Sequence, residues 1–309
     1  MRKILYIAGW GRSGTTILDN LLGQVDGFVS TGELHHLWQR GILDGRDCGC
    51  GLPLAECDVW RQVFQAGFGG LDHVDARAVV RSQEAIHTRD ARAVLRARER
   101  GSMLSDFEYA GHLKRLYDGL AESTGARVIV DSSKYPTDAI VAAGLPGYEV
   151  WVVHMVRDPR AVAFSWQRHK PVQDKAASGG MLRRVGSLRS TLVWQLYNTT
   201  IAGSVRRAVG DDHYRVLRYE RLADEPEAVL RELLHFVGAP DAAAPAFTGG
   251  TTVTLARTHT ASGNPGRFRA GATTFRLDDE WRSAMPGWKR AGIAALAYPT
   301  ISRLAGAGR

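Results

Sequence analysis

The sequence predicts a single α/β domain in three layers, with a mainly parallel central sheet flanked on both faces by helices. Three observations lead there. Short apolar runs recur along the chain, they alternate with stretches of helical periodicity, and no repeat or low-complexity linker divides the 309 residues. The length suits one large domain, and the 44% hydrophobic content is ordinary for a chain that buries a sizeable core.

The elements follow in order. Residues 3–8 form an apolar run that stops at glycine, the pattern of a buried strand entering a tight turn. A helix is expected from Thr15 to about Leu22. Further buried strands are expected at Val128–Val130, Glu149–Val156 and Tyr214–Leu217, with helices at about 106–123, 159–170, 187–209 and 226–237. Residues 40–105 interrupt the alternation and are expected to form an insertion over one sheet edge, serving as a lid or acceptor-pocket wall. Trp38, Trp60, Phe64 and Phe68 suit either a pocket wall or ordinary core packing. The stretch at about 255–285 is rich in Gly, Thr and Arg without apolar periodicity, and is expected to close over a ligand.

Composition excludes several classes. No apolar run approaches the roughly 20 residues of a membrane span. The N-terminal run Ile4–Ala8 falls short of the roughly 7–15 apolar residues of a signal peptide, so a cytoplasmic protein is expected. A net charge of +8 suits an anionic ligand or nucleic acid. The densest basic segment (Arg89, Arg92, Arg96, Arg98, Arg100) has helical spacing and reads as a solvated face. No nucleic-acid motif accompanies it, and no nucleic-acid partner is expected.

The sharpest local pattern is Gly9-Trp10-Gly11-Arg12-Ser13-Gly14-Thr15-Thr16, between the first strand and first helix. Glycines allow successive N–H groups to turn toward one anion, and the helix N-terminus adds its dipole. Arg12 supplies a cation, while Ser13, Thr15 and Thr16 supply hydroxyls. The fold is therefore expected to be P-loop-like. The loop is not a Walker A sequence, because Thr15 stands where lysine is required.

A second pattern is Val153-His154-Met155-Val156-Arg157-Asp158-Pro159-Arg160-Ala161-Val162-Ala163-Phe164-Ser165. The apolar strand ends at Arg157, and Pro159 suits the first turn of a helix. Arg157 and Ser165 converge only if the chain reverses there, and together they suit a second phosphate. Two anion sites at strand C-termini fit one bis-phosphorylated nucleotide.

These segments resemble the sulfotransferases that use 3′-phosphoadenosine-5′-phosphosulfate (PAPS). Gly11-Arg12-Ser13-Gly14-Thr15-Thr16 is similar to their 5′-phosphosulfate loop, in the arginine version of tyrosylprotein sulfotransferases and many bacterial members. Arg157 and Ser165 fall where the family holds the 3′-phosphate. Val216–Leu222 resembles the strand-end element whose tyrosine, here Tyr219, lies near the nucleotide. His259–Arg269 resembles the loop that closes over the adenosine, with Ser262, Gly263, Arg267 and Arg269 at the nucleotide-contacting positions. The resemblance implies sulfuryl transfer from PAPS to a hydroxyl of a small-molecule, glycan or lipid acceptor, with a bacterial natural product or glycolipid as the favoured class. A non-catalytic adenine-nucleotide-binding protein and a nucleotide kinase with a degenerate loop are the alternatives.

Sulfuryl transfer requires a base, in-line geometry and positive charge around the transferring group. The sulfuryl group carries less negative charge than a γ-phosphoryl, so Arg12 and Lys134 are expected to suffice without a metal. Glu33, in Ser30-Thr31-Gly32-Glu33-Leu34, is the expected base, with His35 and His36 as rivals. Cys48, Cys50 and Cys57 have C-x-C-x₆-C spacing. Metal binding, a disulfide and free thiols all fit this spacing, which is one ligand short of a strong zinc signature, so no metal ligand is assigned.

Overall fold

The fold is described from a computed structural model covering residues 1–168 and 184–306. Its first part contains β1 (Arg2–Gly9), α1 (Thr15–Leu22) and β2 (Phe28–Ser30), followed by α2 (Asp58–Phe68), α3 (Ala76–Glu84), α4 (Ala91–Arg100) and α5 (Met103–Asp106). Next come α6 (Glu108–Thr124), β3 (Val128–Lys134), α7 (Pro136–Ala143), β4 (Tyr148–Val156) and α8 (Pro159–Gln167). Then α9 (Ser187–Thr200) continues through a π-helical turn, Ile201–Val205, into α10 (Arg206–Val209). The chain ends with β5 (Tyr214–Arg218), α11 (Tyr219–Asp224), α12 (Pro226–Phe236), β6 (Phe247–Thr248), β7 (Thr252–Leu255), β8 (Gly271–Thr274), α13 (Trp281–Ala284) and α14 (Gly287–Gly306).

The main sheet has the order β2-β3-β1-β4-β5, with every pairing parallel. Its strands read as continuous apolar runs because both faces are covered. Along β1, Ile4, Tyr6 and Ala8 enter one core, with α2, α6 and α7, while Leu5 and Ile7 enter the other, with α1 and α12. This is the expected α/β three-layer architecture. All four expected strands and the long helix at 187–209 are present. Residues 169–170, the end of the helix expected at 159–170, lie outside the described residues.

The order places β1 between strands reached in opposite directions, so the loops after β1, β3, β4 and β5 converge at one crevice. Residues 40–105 add α2, α3 and α4, and α2 packs along α6. Trp38, Trp60, Phe64 and Phe68 are buried in the core, the second of the two readings open for them. The arginine-rich segment forms α4, whose Val94 and Leu95 face inward while Arg92 and Arg96 are exposed. A small antiparallel sheet, β6-β7-β8, leads into the stretch expected to be irregular and takes its last strand from it; it was missed because its strands have only two to four residues.

Candidate active site

Gly14 is the N-cap of α1 and has φ 92°, a conformation that leaves room for no side chain. A Cβ there would come 2.5 Å from Tyr219 Cδ2, so the loop lies directly on the tyrosine ring. Ser13 and Thr15 are buried. The indole of Trp166 donates to the Gly11 carbonyl (3.2 Å) and its ring lies under the Arg12 guanidinium (4.9 Å to the centroid). Arg12 itself has φ 74°, and Lys134, at the end of β3, has φ 76°. Among the described residues these are the two non-glycine residues in the left-handed region. Both are cations that the sequence assigns to the site.

Glu33 lies on the far side of the crevice, beyond β2. The Thr31 amide donates to the Val130 carbonyl (3.0 Å), and the Ser132 amide to that of Gly32 (2.9 Å). The Glu33 amide donates to the Ser262 carbonyl (3.0 Å), tying it to the closing loop. Its carboxylate forms an ion pair with Lys134, with His36 Nε2 at 3.7 Å and Arg40 Nη1 at 3.8 Å. Burial pushes the Glu33 carboxyl upward, but the charge and hydrogen bond of Lys134, followed by Arg40 and Arg267, bring the net shift downward. Arg12 feels the Glu33 charge as well: burial lowers its pKa and Glu33 partly restores it. Glu33, Lys134 and Arg12 therefore form one electrostatic cluster.

The rival bases separate. His35 stacks on Tyr135 (centroids 3.5 Å, 11° between planes), and its Nδ1 lies 2.7 Å from Asp138 Oδ2. Gln83 Nε2 lies 3.0 Å from the same nitrogen, so the ring is held between Tyr135, Asp138 and Gln83. His36 is kept neutral by burial and by the positive charge of Arg40.

Arg157, at the end of β4, is buried. It donates to the Arg12 carbonyl (3.1 Å) and the Asp278 carbonyl (2.8 Å), pairs with the Asp278 carboxylate (3.2 Å), and lies over the Tyr219 ring (4.2 Å to the centroid). Asp278 also pairs with Arg168 (3.3 Å). Ser165 is buried on α8, and Arg157's hydrogen bonds run elsewhere. Arg12 Nη1, Ser13 Oγ and Arg157 Nε are buried polar groups with no hydrogen-bond partner among the described residues. Such donors are costly to bury unmatched, and here three of them gather around one loop.

The closing loop falls in two parts. Gly32 pairs with Ser262, and Gly263 passes close to Glu33. The buried Arg267 donates to the Thr260 (2.9 Å) and Asp47 (2.6 Å) carbonyls, bracing the loop against the segment before Cys48. Arg269 is exposed at the end of the following turn. Thr16 lies near Gly266, and Asn20 donates to the Gly266 carbonyl (2.9 Å). Sequence reasoning assigned neither Arg40, Asp278 nor the buried Asp19, Asp131 and Asp138 to the site, because none of them falls within a binding motif.

The family model described as "Sulfotransferase family" matches residues 5–243. No curated protein matches the sequence. Among solved structures, the fold is similar to the sulfotransferase domain from the curacin biosynthetic pathway (TM-score 0.51, 18% identity, covering 96% of this chain and 98% of that one). It is also similar to the sulfotransferase domain from the Synechococcus PCC 7002 olefin synthase (TM-score 0.53, 21% identity, covering 95% of this chain and 94% of that one). At such identities the likeness is one of fold. The match of the family model over most of the chain shows that the chain belongs to the sulfotransferase family.

Proposed function

We propose that the chain transfers the sulfuryl group of PAPS to a hydroxyl of a small-molecule, glycan or lipid acceptor. The observation that carries this reading is the set of buried donors without a partner among the described residues, Arg12 Nη1, Ser13 Oγ and Arg157 Nε, around a loop at a helix N-terminus. They fit the two phosphate ends of the nucleotide. The Asp278 carboxylate on Arg157 and Arg168 supports the second site, since it puts an anion where a 3′-phosphate would bind.

In this reading Gly11–Thr16 holds the 5′-phosphosulfate, and Arg157, Ser165 and Tyr219 hold the 3′ end. Ser262 and Gly263 close over the nucleotide, with Arg267 bracing them and Arg269 reaching in from the rim. Glu33 takes the acceptor proton as the new O–S bond forms. The bond from sulfur to the 5′-phosphate oxygen breaks, and Arg12 and Lys134 stabilise the charge developing there. Lys134 holds Glu33 below the ordinary carboxylate range before donor binds, which makes a weak base. Once Lys134 turns to the sulfuryl oxygens, burial acts on Glu33 with less opposition and raises its basicity. The insertion at 40–105 and the segment at 255–285 frame the acceptor side.

Radiolabelled sulfate transfer from PAPS onto a panel of hydroxyl metabolites, with PAP binding measured by calorimetry, tests the reading. Glu33→Gln should lower transfer by about 100-fold or more, the scale of a lost general base, and keep PAP affinity. A fully active variant would remove Glu33 from the role. Failure of wild-type protein to bind PAP would overturn the donor assignment.

A further inference from the structure

The three cysteines and His259 have no part in the proposed transfer, yet the fold gathers them. Cys48 and Cys50 lie in a loop closed by an isolated pairing of Asp47 with Pro53. Cys57 immediately precedes α2, and His259 arrives 202 residues later, after β7. The four ligand atoms all lie within 4.8 Å of one another. His259 Nδ1 is 3.2 Å from Cys57 Sγ and 3.8 Å from Cys48 Sγ, and Cys50 Sγ is 3.9 Å from Cys57 Sγ. Tetrahedral zinc, with Zn–S of about 2.3 Å and Zn–N of about 2.0–2.1 Å, requires S···S edges of about 3.8 Å and S···N edges of about 3.6 Å. These three separations lie within 0.4 Å of those edges, and all six are no longer than 4.8 Å.

We propose that Cys48, Cys50, Cys57 and His259 form a structural Zn²⁺ site. Thiolate and imidazole ligands suit a borderline-soft cation. Four protein ligands complete a tetrahedron, with no open position for substrate. A disulfide would use two sulfurs and leave a third thiol and an imidazole packed against it.

The site has a purpose in the fold. Trp60 Nε1 donates to the His259 carbonyl (2.8 Å), and the Gly49 amide to the Thr260 carbonyl (2.9 Å). Two residues on, the Ala261 amide donates to Thr31 (2.8 Å), and Ser262 accepts from Glu33 (3.0 Å). A metal here clamps the closing loop to the insertion beside Glu33, coupling an ion to loop order.

The test uses the full chain, purified reduced and without chelator. Elemental analysis should find one Zn²⁺ per chain, and Co²⁺ exchanged into the wild-type protein should give the intense visible absorption of a tetrahedral thiolate site. Cys50→Ser and His259→Ala should weaken Zn²⁺ by more than the roughly 10–100-fold that losing an outer-shell partner costs. Chelation should expose the bond after Arg257, which is exposed in the loop, to trypsin. Wild-type protein lacking metal after Zn²⁺ reconstitution, holding another metal, or lighter by two hydrogens from a disulfide would overturn the proposal. The Co²⁺ spectrum keeps the test open if a variant fails to fold, and none of these readouts depends on PAPS.

Discussion

Arg12 and Lys134 hold φ values of 74° and 76°, where a Cβ crowds the backbone at a cost of about 1–3 kcal/mol per residue. Strain of this kind persists only where the surroundings impose it, and here it falls on the two cations that face Glu33. Arg12 also leaves Nη1 buried without a partner among the described residues. Arg12→Gly therefore removes strain and an unmatched donor together. Against that gain stand about 0.5–1 kcal/mol of extra unfolded-state entropy for glycine and about 0.5–1 kcal/mol of lost contact with the Trp166 ring. The balance favours the variant by about 1 kcal/mol. Thermal unfolding should show Arg12→Gly slightly more stable than wild type while transfer collapses. A variant that is both active and less stable would show that Arg12 serves packing alone.

The elements around the second anion site are arranged as a contest between the tail and a ligand. β4 delivers Arg157 to the crevice, α11 sets Tyr219 beneath it, and the segment after β8 lays Asp278 across Arg157 and Arg168. In the proposed function, a nucleotide phosphate binding there displaces a partly exposed carboxylate. Such a pair is worth about 0.5–1 kcal/mol, so Asp278→Asn should bind PAP roughly 2–5-fold more tightly by calorimetry. If Asp278 instead holds Arg157 in its binding posture, the variant weakens PAP. Sequence reasoning could place Arg157, because an apolar strand ending in Arg-Asp-Pro is a local pattern. It could not place Asp278, because nothing near Asp278 in sequence indicates which arginine it meets. Ser165 shows the same limit: its helix was legible, but its relation to Arg157 depends on how α8 leaves the sheet.

Across the molecule, legibility followed sequence distance. The parallel sheet was readable because strands covered on both faces, such as Ile4–Ala8 and Val150–Val156, are nearly continuous apolar runs, and the loops after β1 and β4 carry glycine or arginine. β2 and the β6-β7-β8 sheet were not, because their strands are too short to show a period. The Cys/His cluster was half readable: its three sulfurs are local, while the imidazole joins them only when the tail folds back. The buried polar network is the largest illegible part, and it bears on stability. Asp19 lies under the loop on α1, accepts a hydrogen bond from Ser30 (2.7 Å), and is raised to about 7, chiefly by burial. Asp131 is raised to about 6 in the same way. A carboxyl raised on folding binds its proton more tightly in the native state, so its contribution is present at low pH and lost as pH climbs toward the native pKa. His154, lowered to about 4 between Tyr214 and Asn198, acts in the opposite direction, losing its contribution as pH falls below 6.5. Asp19→Asn keeps the acceptor for Ser30 and removes the titration. Its stability relative to wild type should therefore grow steadily from pH 4 to pH 7. The gain reaches about 4 kcal/mol, since each tenfold difference in proton affinity between the folded and unfolded chain is worth about 1.36 kcal/mol. Urea melts of both proteins across that range measure the difference, and a gap independent of pH would show that Asp19 is ionised in the folded protein throughout.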